Sequence, residues 1–196
     1  MRSIRTKAFI LAAVLALTPA VGCKHDVKSS SSNSIQRVTN VDEVNIVDAA
    51  MTEEKAANET LFTLNRVIDA GIQTENNEHY IYLDINIKNP TDKEYELSTL
   101  NNFFLELTDG TQLSSAVRTQ LYAVNNFSDK YSGSPFTVPA SGEFKGIIGG
   151  FTVPDGTNQF TIGFFPTKED ENNKTNLFRV KVNPTDIISV PDDLKK

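Results

Sequence analysis

The stretch HYIYLDINIKN, residues 79–89, decides the fold. Ile81, Leu83, Ile85 and Ile87 alternate with Tyr82, Asp84, Asn86 and Lys88. A period of two sustained over this length predicts a strand with one buried and one wet face. NPTDKE follows it, and Asn-Pro and Asp both favour turn geometry.

The same grammar continues downstream. Tyr95 to Leu97 reads as a short strand, and Phe103, Leu105 and Leu107 alternate with Phe104, Glu106 and Thr108 before the hairpin signal Asp109-Gly110. Leu113 to Val124 is expected to hold another strand, and the polar, Gly/Ser/Pro-bearing segment from Asn125 to Pro135 an exposed loop. PASGE (139–143) turns the chain into FKGIIGGFTVP, where Phe144, Ile148 and Thr152 share one parity and Gly146, Gly149 and Gly150 mark a bulge or a close backbone approach. Pro154-Asp155-Gly156 turns the chain again, and Gln159 to Phe165 forms a strand with Phe160, Ile162 and Phe164 on one side. TKEDENNKTN (167–176) reads as a charged hairpin tip, Leu177 to Val182 as the closing strand, and residues 185–196 as a loose tail. Upstream, residues 41–59 form a linker or short helix. Asn40 and Glu43 have the spacing of a capping box, and Val41, Val44, Val47 and Met51 fall near one helical face, although EVNIV reads equally as the start of a strand.

Many short strands with frequent turns predict an all-β, antiparallel sandwich over residues 60–184. Twelve Phe and no Trp mean that its core lacks the central tryptophan of antibody domains.

Four segments in order resemble the extracytoplasmic DUF4352 family. They are HYIYLDINIKNPTDKEYEL, FFLELTDGTQL with Asp109-Gly110, VPASGEFKGIIGGFTVP with Gly142, Gly146, Phe151, Val153 and Pro154, and NQFTIGFF. The likeness spans roughly Leu61 to Pro166. It implies an immunoglobulin-like sandwich with no catalytic motif, acting as a cell-envelope binding or structural module.

The start of the chain gives an address. Arg2, Arg5 and Lys7 precede the apolar run AFILAAVLAL (8–17), and Thr18-Pro19 ends it. This is the layout of a secretory signal, and a run of this length is too short to span a bilayer, which takes about 20 residues. Ala20-Val21-Gly22-Cys23 resembles a bacterial lipobox, with Ala20 where Leu is commonest. The resemblance implies a diacylglyceryl thioether on Cys23, cleavage between Gly22 and Cys23, and in many bacteria a further acyl chain on the new amino group. Cys23 is the only cysteine, so no intramolecular disulfide forms and the core must hold the fold. Residues 23–40 read as the lipidated Cys followed by a Ser-rich flexible tether. Lys24 is not the Asp that retains enteric lipoproteins in the inner membrane. The expected address is therefore the outer membrane of a Gram-negative cell, or otherwise the outer face of the cytoplasmic membrane.

Removing residues 1–22 leaves 16 Lys+Arg against 25 Asp+Glu, a net charge of −9. Such a surface repels phosphate backbones, so nucleic acid is not an expected partner. The expected partners are the membrane, through lipid on Cys23, and an envelope protein.

Little in the sequence points to catalysis. His25 lies in the tether, and His79 begins a strand beside Glu78, with no G-x-S-x-G elbow to complete a triad. A zinc site lacks thiolates once Cys23 is lipidated. Glu169, Asp170, Glu171 and Asn172 offer oxygen ligands without the alternating spacing of a calcium loop. No phosphate-cradling loop or dinucleotide fingerprint is present, and no cofactor or metal is expected. Tyr122, Phe127, Tyr131 and Phe136 surround the polar loop, either as a partner contact or folded back over one end of the sandwich. The expectation is a non-catalytic interaction module. The competing readings are a hydrolase with an unrecognised carboxylate pair and a passive structural surface protein.

Overall fold

A computed structural model describes residues 44–72, 74–166 and 175–196. They belong to one compact unit, Ser32–Lys196. The first strands are β1 (Asn45–Ala49), β2 (Lys55–Ala57), β3 (Thr60–Ile72), β4 (Glu78–Asn89) and β5 (Tyr95–Leu97). A single helical turn, α1 (Thr99–Asn102), leads into β6 (Phe103–Leu107) and β7 (Gln112–Leu113). Helix α2 (Val117–Asn126) follows, then β8 (Phe136–Val138), β9 (Gly142–Pro154), β10 (Phe160–Phe164), β11 (Asn176–Val182) and β12 (Ile187–Ser189).

The molecule is a β-sandwich. One sheet runs β1-β11-β10-β6-β7, the other β12-β3-β4-β9 with β2 beside β3. The long β3, β4 and β9 pair antiparallel, while β1 on β11 and β12 on β3 are parallel edge additions. The inner faces share one core: Phe62, Leu64, Ile81, Leu83, Ile85 and Ile87 from one sheet meet Phe103, Leu105, Ile162, Phe164, Phe178 and Val180 from the other. Phe62 is the keystone, with ring centroids 4.8 Å from Phe164 and 5.5 Å from Phe178. Such a buried ring is worth about 3–5 kcal/mol against alanine. The β5–β8 ribbon adds Tyr95, Leu97, Phe136 and Val138 to this core.

The decisive stretch is β4, and Ile81, Leu83, Ile85 and Ile87 are inward and buried as expected. The second face departs from expectation, because Tyr82 is also fully buried. Glycine accounts for a second departure. The β4–β9 register shifts at Ile81/Tyr82, where Gly149 and Gly150 lie opposite. A Cβ on Gly150 would lie 2.7 Å from the Ile81 carbonyl oxygen, so only glycine lets the backbones approach this closely. The expected bulge is present, and it flips the parity: Phe151 and Val153 enter the core and Thr152 does not.

Three expectations are corrected. Residues 45–49 and 55–57 are strands, so the helical alternative is not adopted over the described residues 44–59. Ile46 and Val47 are β-branched, and an open edge of β11 accepts them. Leu113 to Val124 holds mostly α2 rather than a strand, and Thr119 and Ala123, four residues apart and so on one helical face, are its buried side. The C-terminal residues are no loose tail. Pro184 opens a 3₁₀ turn boxed by Asn183 and Asp186, β12 pairs with Val67–Asp69, and Leu194 is fully buried. The segment 167–174, with its acidic cluster, and the signal, Cys23 and tether all lie outside the described residues.

Candidate functional site

Helix α2 converts the sandwich into a three-layer structure along part of one sheet. It lies on the outer face of β4 and β9 and covers a second apolar cluster, separate from the main core, of Ile68, Tyr80, Tyr82, Phe127, Ile147 and Leu194. The sequence explains the docking. Thr119 and Ala123 are the small residues on the inward face, and both are fully buried. Thr119 ties the first turn of α2 to β9. Its Oγ1 lies 2.6 Å from the Ala116 carbonyl oxygen and 2.8 Å from that of Gly150, and it accepts the Gly150 N–H at 3.0 Å. The Ala116 N–H donates to the Gly150 carbonyl at 3.0 Å, closing the attachment. Tyr82 crosses from the sheet to donate its hydroxyl to the Thr119 carbonyl at 2.7 Å.

The aromatic residues expected at a partner contact are found here, in a different role. Phe127 and Phe136 are 2% and 6% exposed, which removes them from a contact surface. Phe127 meets Tyr82 edge-on at 4.8 Å, and Tyr122 and Tyr131, both half-buried, pack around it at 5.9 and 6.2 Å. Tyr131 donates to the Gly149 carbonyl at 2.7 Å, and burial pushes its phenol up to about 12. Phe136 belongs to the main core and stacks on Phe144 at 4.3 Å. The structure thus brings Tyr122, Phe127 and Tyr131 together around the C-terminal end of α2 and leaves Phe136 apart. They fold back, as the alternative reading held, over the broad face of a sheet rather than one end of the sandwich.

The outward face of α2 was missed in the sequence. Val117, Leu121 and Val124 are 73%, 60% and 55% exposed. Their spacing of i, i+4 and i+7 puts them in one stripe opposite Thr119 and Ala123. Reading residues 117–124 with a period of 3.6 would have found it. The helix carries one charged side chain, Arg118, held to Glu78 at 2.6 Å.

Beside α2 is an open groove of about 580 Å3, walled by Asp69, Gly71, Tyr122, Asn126, Ser189 and Lys195 among others. Its charged groups are engaged within the protein: Asp69 accepts from the Gly71 N–H and faces His79, and Lys195 pairs with Asp192. His79 is clasped between two carboxylates, Nδ1 at 2.7 Å from Asp69 and Nε2 at 3.2 Å from Asp155. Partial burial opposes its charge, but the hydrogen bonds and charges of Asp69 and then Asp155 outweigh that and raise its pKa. The ring nitrogens face opposite ways, so the three groups do not converge on one ion. No group of three potential metal ligands gathers among the described residues. The hydroxyls and carboxylates here clasp strands together.

No family profile matches the chain, and no curated protein matches it. Solved structures do. The candidate lipoprotein ycdA of Bacillus subtilis aligns at a TM-score of 0.50 and 16% identity, over 69% of this chain and 39% of that one. The yjhA protein of Bacillus subtilis gives 0.48 and 13%, over 68% and 98%, and an uncharacterised β-sandwich protein of Clostridium difficile gives 0.42 and 14%, over 71% and 95%. The chain spans well under half the length of ycdA. At these identities the likeness to ycdA shows the fold alone. No helix among the described residues is long and apolar enough to cross a membrane.

Proposed function

We propose that this is a lipid-anchored cell-envelope lipoprotein whose β-sandwich is a non-catalytic interaction module. The observation that carries the interaction role is the stripe of Val117, Leu121 and Val124, three aliphatic side chains held in water by a helix that is itself firmly attached. Packing requirements inside the chain do not explain it, because the buried face of α2 uses Thr119 and Ala123. Exposed aliphatic side chains gathered on one face of a fixed helix suit a contact surface. Anchoring is supported by the apolar run 8–17 and Ala20-Val21-Gly22-Cys23. A fold shared with a candidate lipoprotein is compatible with it. The DUF4352 likeness supports the same reading: its four segments fall on β4, on β6 with the turn into β7, on β9 with its lead-in, and on β10.

The test is fractionation. Cys23→Ser should move the protein from the membrane pellet to the soluble fraction, and mass spectrometry of the wild type should show diacylglycerol on Cys23. An unmodified thiol on the processed chain refutes the anchored reading.

A further inference from the structure

We infer that the outward face of α2 is a membrane-docking surface, which seats the sandwich on the lipid layer to which Cys23 anchors it. The inference rests on the anchored reading proposed above. Three observations select lipid as the occupant.

The first is size. Val117, Leu121 and Val124 are partly exposed and together offer on the order of 200 Å2 of apolar surface. A stable protein interface takes about 800 Å2 from each partner, so neither a second copy nor a soluble protein is held by this stripe alone. Lipid makes no such demand, because the tether supplies the second half of the affinity. Cys23 and Val44 are separated in the sequence by about 20 residues, which is at most about 70 Å of chain. The helix is therefore presented to the bilayer at high effective concentration, and weak insertion is enough.

The second is shape. An interfacial helix lies in the membrane plane with its apolar stripe inserted and polar groups at headgroup level. Gln120 and Asn125 flank the stripe of α2 on either side. Lys196 donates its Nζ to the Val124 carbonyl, which places an ammonium at the C-terminal end of the stripe. Lys130 lies close to the same tail, paired with Asp193 at 2.6 Å.

The third is charge. Processed at Cys23, the chain has a net charge of −9 (16 Lys+Arg against 25 Asp+Glu), and an anionic headgroup layer would repel most of it. Helix α2 carries no acidic residue, and its one cation is neutralised by Glu78. Docking by this face brings no carboxylate of the helix onto the headgroups, and it should be insensitive to salt.

The experiment uses the full lipidated chain in phosphatidylcholine vesicles. Cys23 as a thioether takes no thiol label, so an environment-sensitive fluorophore is placed by Leu121→Cys. A control label is placed by Lys181→Cys, an exposed position on the other sheet. The proposal expects a blue shift at position 121 and several-fold stronger quenching there by doxyl lipid than at position 181, unchanged by added salt. Adding Val117→Ser and Val124→Ser should abolish the difference while the protein stays with the vesicles. Equal quenching at both positions, with the protein still vesicle-bound, overturns docking and leaves anchoring intact. Protein that elutes apart from vesicles with a reactive Cys23 thiol overturns both. Shielding at position 121 that follows protein concentration and needs no lipid assigns the stripe to a second copy and overturns the lipid proposal.

Discussion

Substituting Thr119 separates two accounts of how α2 is held. The residue is fully buried, and its hydroxyl accepts the Gly150 N–H while lying within hydrogen-bond distance of two carbonyl oxygens. Thr119→Val keeps the volume and deletes the hydroxyl. The Ala116 carbonyl keeps bonds from the Thr119 and Gln120 N–H groups, and the Gly150 carbonyl keeps the Ala116 N–H. The Gly150 N–H loses its acceptor, and an orphaned buried donor costs about 1–3 kcal/mol. Thr119→Ser keeps the hydroxyl and deletes one methyl, worth about 1 kcal/mol. A polar latch therefore predicts that valine is more damaging than serine, by about 1 kcal/mol at the middle of these ranges. Simple hydrophobic packing predicts the reverse order. The assay is urea unfolding followed by far-UV circular dichroism in a Cys23→Ala background, with an unchanged m-value as the check that compactness is preserved. For a domain of this size the valine variant should melt roughly 4–8 °C below the parent. Valine at least as stable as serine would refute the latch.

Two further outcomes follow from the geometry. A Cβ on Gly163 would lie 2.1 Å from the Phe104 ring tip, so Gly163→Ala should destabilise by about 1–3 kcal/mol, and Phe104→Leu in the same chain should recover part of the loss in a double-mutant cycle. His79 has a folded pKa above its ordinary 6.5, so the protonated clasp with Asp69 and Asp155 stabilises fully below that value and the contribution fades as pH rises through the folded pKa. His79→Gln should therefore flatten the fall in stability between about pH 5.5 and pH 8. An unfolding series with parallel pH dependence in both proteins would refute the clasp.

The two-sheet core was legible because each strand's inward residues repeat with period two and their partners are also strands. Ile81 to Ile87 announce β4, and Phe160, Ile162 and Phe164 announce β10, without reference to anything distant. The errors have one physical source. Periodicity reports which side of a strand is apolar, and it assigns the other side to water. On β4 that other side begins with Tyr80 and Tyr82, whose amphipathic rings are neutral evidence. They are buried only because α2 and Leu194 arrive from elsewhere in the chain. The same blindness made a strand of residues 113–124 and a free tail of residues 185–196, and it left Phe127 open between a partner contact and a residue folded back over the sandwich. Helix α2, Phe127 and Leu194 form the third layer and β12 the edge of the sheet beneath it, and none can be placed until the others are.

That third layer also explains where a contact surface can arise. A sandwich that buried its second face with large aliphatic residues from a helix would leave the helix polar outside, as amphipathic helices in bundles are. Here the aromatic bulk comes from Tyr80 and Tyr82 of the sheet and from Tyr122 and Phe127 at the C-terminal end of α2, and the first turns of the helix need only Thr119 and Ala123 to sit down. Its aliphatic side chains are then free to point outward. The hydrophobicity of Val117, Leu121 and Val124 stabilises nothing inside this chain, and leaving them in water is tolerable because Thr119 and Gly150 fix the helix without their help. If the latch is removed, α2 is still held by the Ala116 N–H on the Gly150 carbonyl, by the Tyr82 hydroxyl on the Thr119 carbonyl and by the packing of Tyr122 and Phe127. A Thr119→Val chain that stays folded should therefore leave a label introduced by Leu121→Cys as accessible to a solvent-borne quencher as in the parent, and a label that becomes shielded would mean that the Thr119 hydroxyl alone sets which face of α2 points outward.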